Sequence, residues 1–181
     1  MRVLISGGPG SGCTSTAKLL GEELRIAVFD SDTYLFQPTD PPYQELRPLE
    51  ERRELLLAEL RRSVDWIISG SIATWHIALL DIHFAFFMDT PKDERLRRLE
   101  ARERERFGRR IDEGGDMHTE NTEFMKWAAT YEDGSNEGRN RAMDRDFLVQ
   151  QGDKFFEISS EQTLGETVAK IRGLLTEPPT V

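Results

Sequence analysis

Apolar residues in this chain fall into short continuous runs, separated by longer stretches in which they recur every three or four positions. The runs predict strands at about 2–6, 26–30, 65–70, 83–89 and 154–159. Leu49, Leu56 and Leu60 form the apolar stripe of a helix near 48–62. Leu164, Val168 and Ile171 do the same for a closing helix, and Glu177-Pro-Pro-Thr-Val reads as a frayed tail. Strand and helix signals therefore alternate. That pattern predicts the α/β class, with a central parallel five-stranded sheet covered by helices on both faces. Two segments interrupt the alternation. Gln37-Pro-Thr-Asp-Pro-Pro-Tyr43 is a proline-rich loop leading into the Leu49–Leu60 helix. The stretch from Phe107 to Gly138 carries Gly108, Gly114, Gly115 and Gly134 among charges, and is expected to be a mobile cover.

The first predicted strand runs into Gly7-Gly-Pro-Gly-Ser-Gly-Cys-Thr14, and Ser15 to Leu24 has helical spacing. This is the phosphate-loop pattern G-x-x-x-x-G-K-[ST] in its proper strand–loop–helix context, except that Cys13 stands where lysine is expected. Backbone N–H groups of such a loop converge on a phosphate chain, and the helix N-terminus adds partial positive charge. Gly7, Gly10 and Gly12 permit the close approach, and Thr14 is placed to offer a hydroxyl to magnesium. A neutral thiol cannot neutralise β- and γ-phosphate oxygens as an ammonium does. A thiol at a helix N-terminus can also have a lowered pKa, which would suit redox chemistry.

Asp30 and Asp32 lie at the carboxyl end of the second strand, the edge at which ligands bind in open α/β sheets. One carboxylate could hold magnesium while the other orients and deprotonates a hydroxyl; a solvated turn with a helix cap is the plainer alternative. Ser69-Gly70-Ser71 ends the third strand, either as a tight turn or as a place where substrate meets backbone. Arg95, Arg98, Arg102, Arg106 and Arg109 share one helical stripe. Glu94, Glu100, Glu103 and Glu105 lie among them, so ordinary solvated pairing accounts for Arg95, Arg97 and Arg104. Arg106, Arg109 and Arg110 stand at the helix's end and are candidates to meet a transferring phosphoryl group. Arg139 and Arg141 could close on it from the other side. Arg47, Arg52 and Arg53 suggest an anionic acceptor, although exposed helix charges explain them equally. His76, His83 and His118 lack metal-ligand spacing, Trp127 and Tyr131 read as packing, and Asp89 as a strand-end cap.

Length and composition narrow the setting. The chain has 181 residues, enough for one domain with its own core, and a net charge of −9 that argues against a nucleic-acid surface. One cysteine excludes an internal disulfide and fits a reducing cytosol. Neither a secretory signal nor a membrane-length apolar stretch is evident, so a cytoplasmic protein is expected.

Together these residues resemble the P-loop small-molecule kinases, the superfamily of adenylate, shikimate and gluconate kinases. The resemblance covers nearly the whole chain. It implies a three-layer P-loop NTPase fold forming one domain (1–181), with a substrate-side insertion at 33–62 and a mobile lid at about 106–140. It implies ATP and Mg²⁺ as cofactors and a small-molecule acceptor as partner. By it, Gly8, Pro9, Gly10, Ser11, Gly12, Cys13, Thr14 and Ser15 would bind nucleotide phosphates, and Thr14 with Asp30 would serve magnesium. Asp32 would face the acceptor, and Arg106, Arg109 and Arg110 would belong to the lid. The opening GGPGSG is most like adenylate kinases, whereas Asp30-Ser-Asp32 is more like shikimate and gluconate kinases. The Asp-Gly-[Phe/Tyr]-Pro-Arg segment of adenylate kinases is replaced by Ser69-Gly-Ser-Ile-Ala73, which points away from AMP as acceptor. The alternative to a kinase is a nucleotide-binding regulatory protein that lost transfer with its lysine.

Overall fold

Parallel strands buried on both faces read as unbroken apolar runs, and each of the five predicted runs forms a strand. They are β1 (Arg2–Gly7), β2 (Ala27–Asp30), β3 (Trp66–Ser69), β4 (Ile82–Asp89) and β5 (Gly152–Ser159). The structure, a computed structural model, describes residues 1–77, 80–135 and 138–176; the predicted frayed tail lies outside them. The strands pair in parallel in the order β2-β3-β1-β4-β5. β1 is central, with the earlier strands on one side and the later ones on the other. The loop leaving β1 therefore opens where the strand order changes direction, the usual ligand position in such sheets.

Alternation along each strand divides the core between the faces. Val3, Ile5, Ile67, Phe86 and Met88 pack with Ala17 and Leu20 of α1 (Cys13–Leu24) and Val168 and Ile171 of α7 (Leu164–Thr176). Leu4, Trp66, Ile68, Ala85 and Phe87 pack on the other side against Leu56 and Leu60 of α3 (Leu49–Leu60) and Leu148 of α6 (Arg141–Gln151). The result is a helix–sheet–helix sandwich.

Three further helices surround the open edge: α2 (Ser31–Leu35), α4 (Lys92–Phe107) and α5 (His118–Ala129). α2 starts where Asp30 Oδ1 accepts the Asp32 N–H at 3.1 Å, a side-chain cap at the end of β2. The stretch expected as a cover is largely regular. Gly108, at φ 57°, ends α4; a 3₁₀ turn spans Gly108–Ile111, and α5 then packs back on α4. Phe107, Ile111 and Met117 form a small core of their own beneath it.

Candidate active site

The loop after β1 is shaped by its glycines. Gly10 and Gly12 sit at φ 83° and 89°, in the left-handed region that side chains resist. A Cβ on Gly10 would collide with the Arg95 carbonyl oxygen, and one on Gly8 would come within 2.8 Å of the Tyr131 ring. Ser11 N–H donates back to Gly8 O at 3.0 Å, closing the turn. The first intrahelical bond of α1 runs from Thr16 N–H to Gly12 O at 2.9 Å. The N–H groups of Cys13, Thr14 and Ser15 precede it and have no helical acceptor, which leaves them available to an anion.

This loop forms one wall of a cleft of about 660 Å³. Every predicted phosphate-loop residue from Gly8 to Ser15 lines it, together with Asp30, Asp32, Arg98, Arg102, Arg106 and Arg139. Its outer wall is apolar and aromatic: Leu35 and Phe36 at the end of α2, Tyr43 of the proline-rich segment, and Phe107, Met117, Phe124 and Trp127 from the α4–α5 side. Arg106 bridges the two walls, with its guanidinium 4.7 Å from the centre of the Tyr43 ring and 5.8 Å from that of Phe107. A second depression beside α1, lined by Lys18, Gly21, Glu22, Arg25, Ile26 and Val28, holds no phosphate-loop residue and a single carboxylate.

Asp32 is the electrostatic focus of the cleft. Its carboxylate makes no hydrogen bond or ion pair among the described residues. It keeps accessible surface along the cleft opening, yet protein surrounds it closely. Desolvation and then the neighbouring Asp30 charge push its pKa above the usual 3.8, while Arg139, Arg102 and Arg106 pull it down. Thr14 and Asp30 stand on the same rim. Among the described residues, no three His, Cys, Asp or Glu side chains gather as a metal site. Thr14 and Asp30 are a hydroxyl and a carboxylate of the kind that could hold Mg²⁺ where phosphate oxygens and water supply most of its ligands.

Cys13 is 8% exposed, its Sγ 3.2 Å from Ser11 Oγ. Burial pushes the thiol up to about 11, outweighing the Ser11 hydrogen bond and the Arg139 charge. The activated thiolate that a helix N-terminus suggested is thus overturned by desolvation.

The arginines divide differently from the sequence reading. Arg95 is not solvated: it is 1% exposed and fastens the loop from behind. Its Nη1 donates to Pro9 O at 2.7 Å, Nε to Glu132 at 2.9 Å and Nη2 to Ala128 O at 3.3 Å. Arg98 is held by Glu94 at 2.7 Å and Ser160 O at 2.8 Å, beside Gly12. Arg109 and Arg110 fall outside the cleft lining, because the turn at Gly108 redirects the chain and breaks the helical stripe. Arg110 forks onto Asp116, with its closest contact 2.7 Å, and Arg109 is exposed. Arg47, Arg52 and Arg53 also lie outside it. Arg47 binds the carbonyls of Tyr34 and Phe36, each at 3.1 Å. Arg53 binds Trp75 O, and Arg52 stacks on the Trp75 ring. His118 donates from Nδ1 to Ile111 O at 3.1 Å in its turn, and Asp89 pairs with Arg141 at 2.9 Å.

One group had no sequence signal. Asp144, 1% exposed on α6, accepts from Ser71 Oγ at 2.5 Å, Tyr131 OH at 2.7 Å and Arg139 Nε at 2.7 Å. Arg139 also donates through Nη2 to Gly7 O, tying α6 to the loop after β1. Tyr131 is correspondingly buried, and desolvation with the Asp144 charge raises its pKa.

Comparison with known proteins agrees with this architecture. A family profile described as an AAA domain matches residues 3–123. The uncharacterized protein YqaC of Bacillus subtilis (strain 168) is 27% identical over 173 residues, 95% of this chain and 96% of that protein. Shikimate kinase from Bacteroides thetaiotaomicron superposes with a TM-score of 0.57 at 17% identity, covering 98% of this chain and 99% of that one. Shikimate kinase from Acinetobacter baumannii, solved in complex with shikimate, gives 0.53 at 14% identity, covering 96% and 92%. The fold is that of the P-loop small-molecule kinases.

Proposed function

The chain belongs to the AAA-domain family, and from that premise we propose that it is a kinase that transfers the γ-phosphoryl group of ATP to a hydroxyl of a small molecule. The observation that carries the reading is the unpaired Asp32 carboxylate facing the glycine loop across one cleft. In this reading Gly8 to Ser15 cradle the phosphate chain with backbone N–H groups and the α1 N-terminus. Thr14 and Asp30 hold Mg²⁺, which supplies positive charge to the phosphate oxygens when bound. Asp32 orients the acceptor hydroxyl and takes its proton. The freed oxygen bonds to the γ-phosphorus, and the bond to the bridging oxygen breaks with its electron pair leaving on ADP. Arg102 and Arg106 face developing charge from α4, and the segments at 33–62 and about 106–140 act as substrate wall and lid. Arg109 and Arg110 would reach the phosphates only by lid closure.

The test is transfer of labelled γ-phosphate from MgATP to a panel of hydroxyl-bearing metabolites. Wild type forms a phosphorylated product, and Asp32→Asn lowers kcat by about 10² to 10⁴. Nucleotide binding without product across a broad panel would contradict transfer.

Cys13 is the observation favouring a second reading, a nucleotide-binding regulator without turnover. Activity that appears only in Cys13→Lys would establish it.

A further inference from the structure

We infer that Arg139 supplies the positive charge that the loop lost when Cys13 took the lysine position, and that it does so at the β- and γ-phosphate oxygens of a nucleoside triphosphate. The inference rests on the nucleotide-binding reading above and names the group that completes it. Four observations converge on this arginine. Its Nη2 donates to Gly7 O, at the entry of the glycine loop. It lines the same cleft as Asp30, Asp32 and Thr14. Its charge acts on both Cys13 and Asp32, so it lies within electrostatic reach of the loop and of the carboxylate proposed to meet the acceptor hydroxyl. Its Nε and Nη2 are engaged, and Nη1 has no hydrogen-bond partner among the described residues.

The surroundings hold that guanidinium in place and, among the described residues, leave one of its nitrogens, Nη1, free to turn to a ligand. Tyr131 lies under it, ring centre 5.6 Å from the guanidinium carbon, and packs in turn on Gly8. Asp144 faces it at 2.7 Å and also accepts from Ser71 and Tyr131, so the pair is fixed in place while Nη1 stays unengaged among the described residues. Of the other cations, Arg106 lies over Tyr43 and Phe107 on the outer wall of the cleft, away from the glycine loop. Lys18 is exposed one turn further along α1. Arg95 is turned behind the loop, Arg98 is committed to Glu94 and Ser160, and Arg102 pairs with Glu103 at 2.8 Å. Arginine's fixed fork also suits phosphate better than a longer reach from a solvent-exposed lysine would.

Removing Arg139 alone would strand the buried Asp144, so the test removes both charges of the pair. MgATP is titrated calorimetrically into Asp144→Asn and into Asp144→Asn/Arg139→Gln, each with and without Cys13→Lys, with thermal melting to confirm folding. The expected result is a Kd at least about tenfold weaker when Arg139 is lost, a loss largely recovered by Cys13→Lys. A change in Kd below about threefold on removing Arg139, or no recovery by the lysine, would overturn the inference. If neither wild type nor Asp144→Asn binds MgATP, the nucleotide reading itself fails and the inference falls with it. Wild-type binding with an indifferent Arg139 sinks the inference alone.

Discussion

Asp32 carries a chemical demand that can be read from pH. Desolvation and Asp30 raise its pKa above 3.8 in the folded protein, so its charged form is reached at higher pH than for an ordinary aspartate. A base must be deprotonated, so kcat/KM for MgATP, which reports the free enzyme, should rise with pH along an acid limb whose midpoint lies above 3.8, and Asp32→Asn should lack that limb. Stability must move the other way. The folded protein binds this proton more tightly than the unfolded chain, so the contribution is fully favourable below the unfolded value and is lost as pH rises through the folded one. Asp32→Asn should therefore melt higher than wild type near neutrality, and the gain should vanish below about pH 3.8. An unchanged melting difference across that range would mean that the carboxyl is not perturbed. Two carboxylates at a strand end marked Asp30 and Asp32 in the sequence, and both readings made of them meet in the structure: both line the cleft, and Asp30 also caps α2. Asp144 was not legible, because a single aspartate in a charged helix gives no hint that three donors converge on it.

At the scale of elements, α4 shows where sequence reasoning stops. Arginines and glutamates interleaved at helical spacing look the same whether the helix is solvated or packed, and only tertiary contact singles out Arg95. It joins three pieces: Pro9 in the glycine loop, Ala128 in α5 and Glu132 beyond it. Arg95→Ala should cost about 3 kcal/mol of unfolding free energy in denaturant titration, since it orphans buried carbonyls and leaves Glu132 without its partner. Hydrogen exchange should quicken together at the glycine loop and at the end of α5, whereas a merely solvated arginine would change neither. The helix α5 itself was hidden by the glycines before it. Met117, Asn121, Phe124 and Ala128 do follow helical steps, and that periodicity was the available signal. The lid arginines illustrate the opposite error: a stripe drawn through Arg106 to Arg109 assumed a continuous helix, and the positive φ of Gly108 ends it.

For the whole molecule, the strands and layers were legible because burial on both faces forces continuous apolar runs, and alternation then assigns each residue to a helix layer. The cleft followed from the same topology, since β1 at the centre brings its loop to the change in strand order. The outer walls of the cleft were not legible, because they are assembled from distant segments, Phe36 and Tyr43 on one side and Phe124 and Trp127 on the other. Among the described residues, no helix is long and apolar enough to cross a membrane. The central claim is that the glycine loop binds a nucleoside triphosphate although lysine is missing from it. Calorimetric titration of MgATP into the wild-type protein tests this most directly. One site per chain is expected, with binding abolished by Gly10→Ala in protein that still melts cooperatively; no heat of binding at millimolar MgATP would contradict the account.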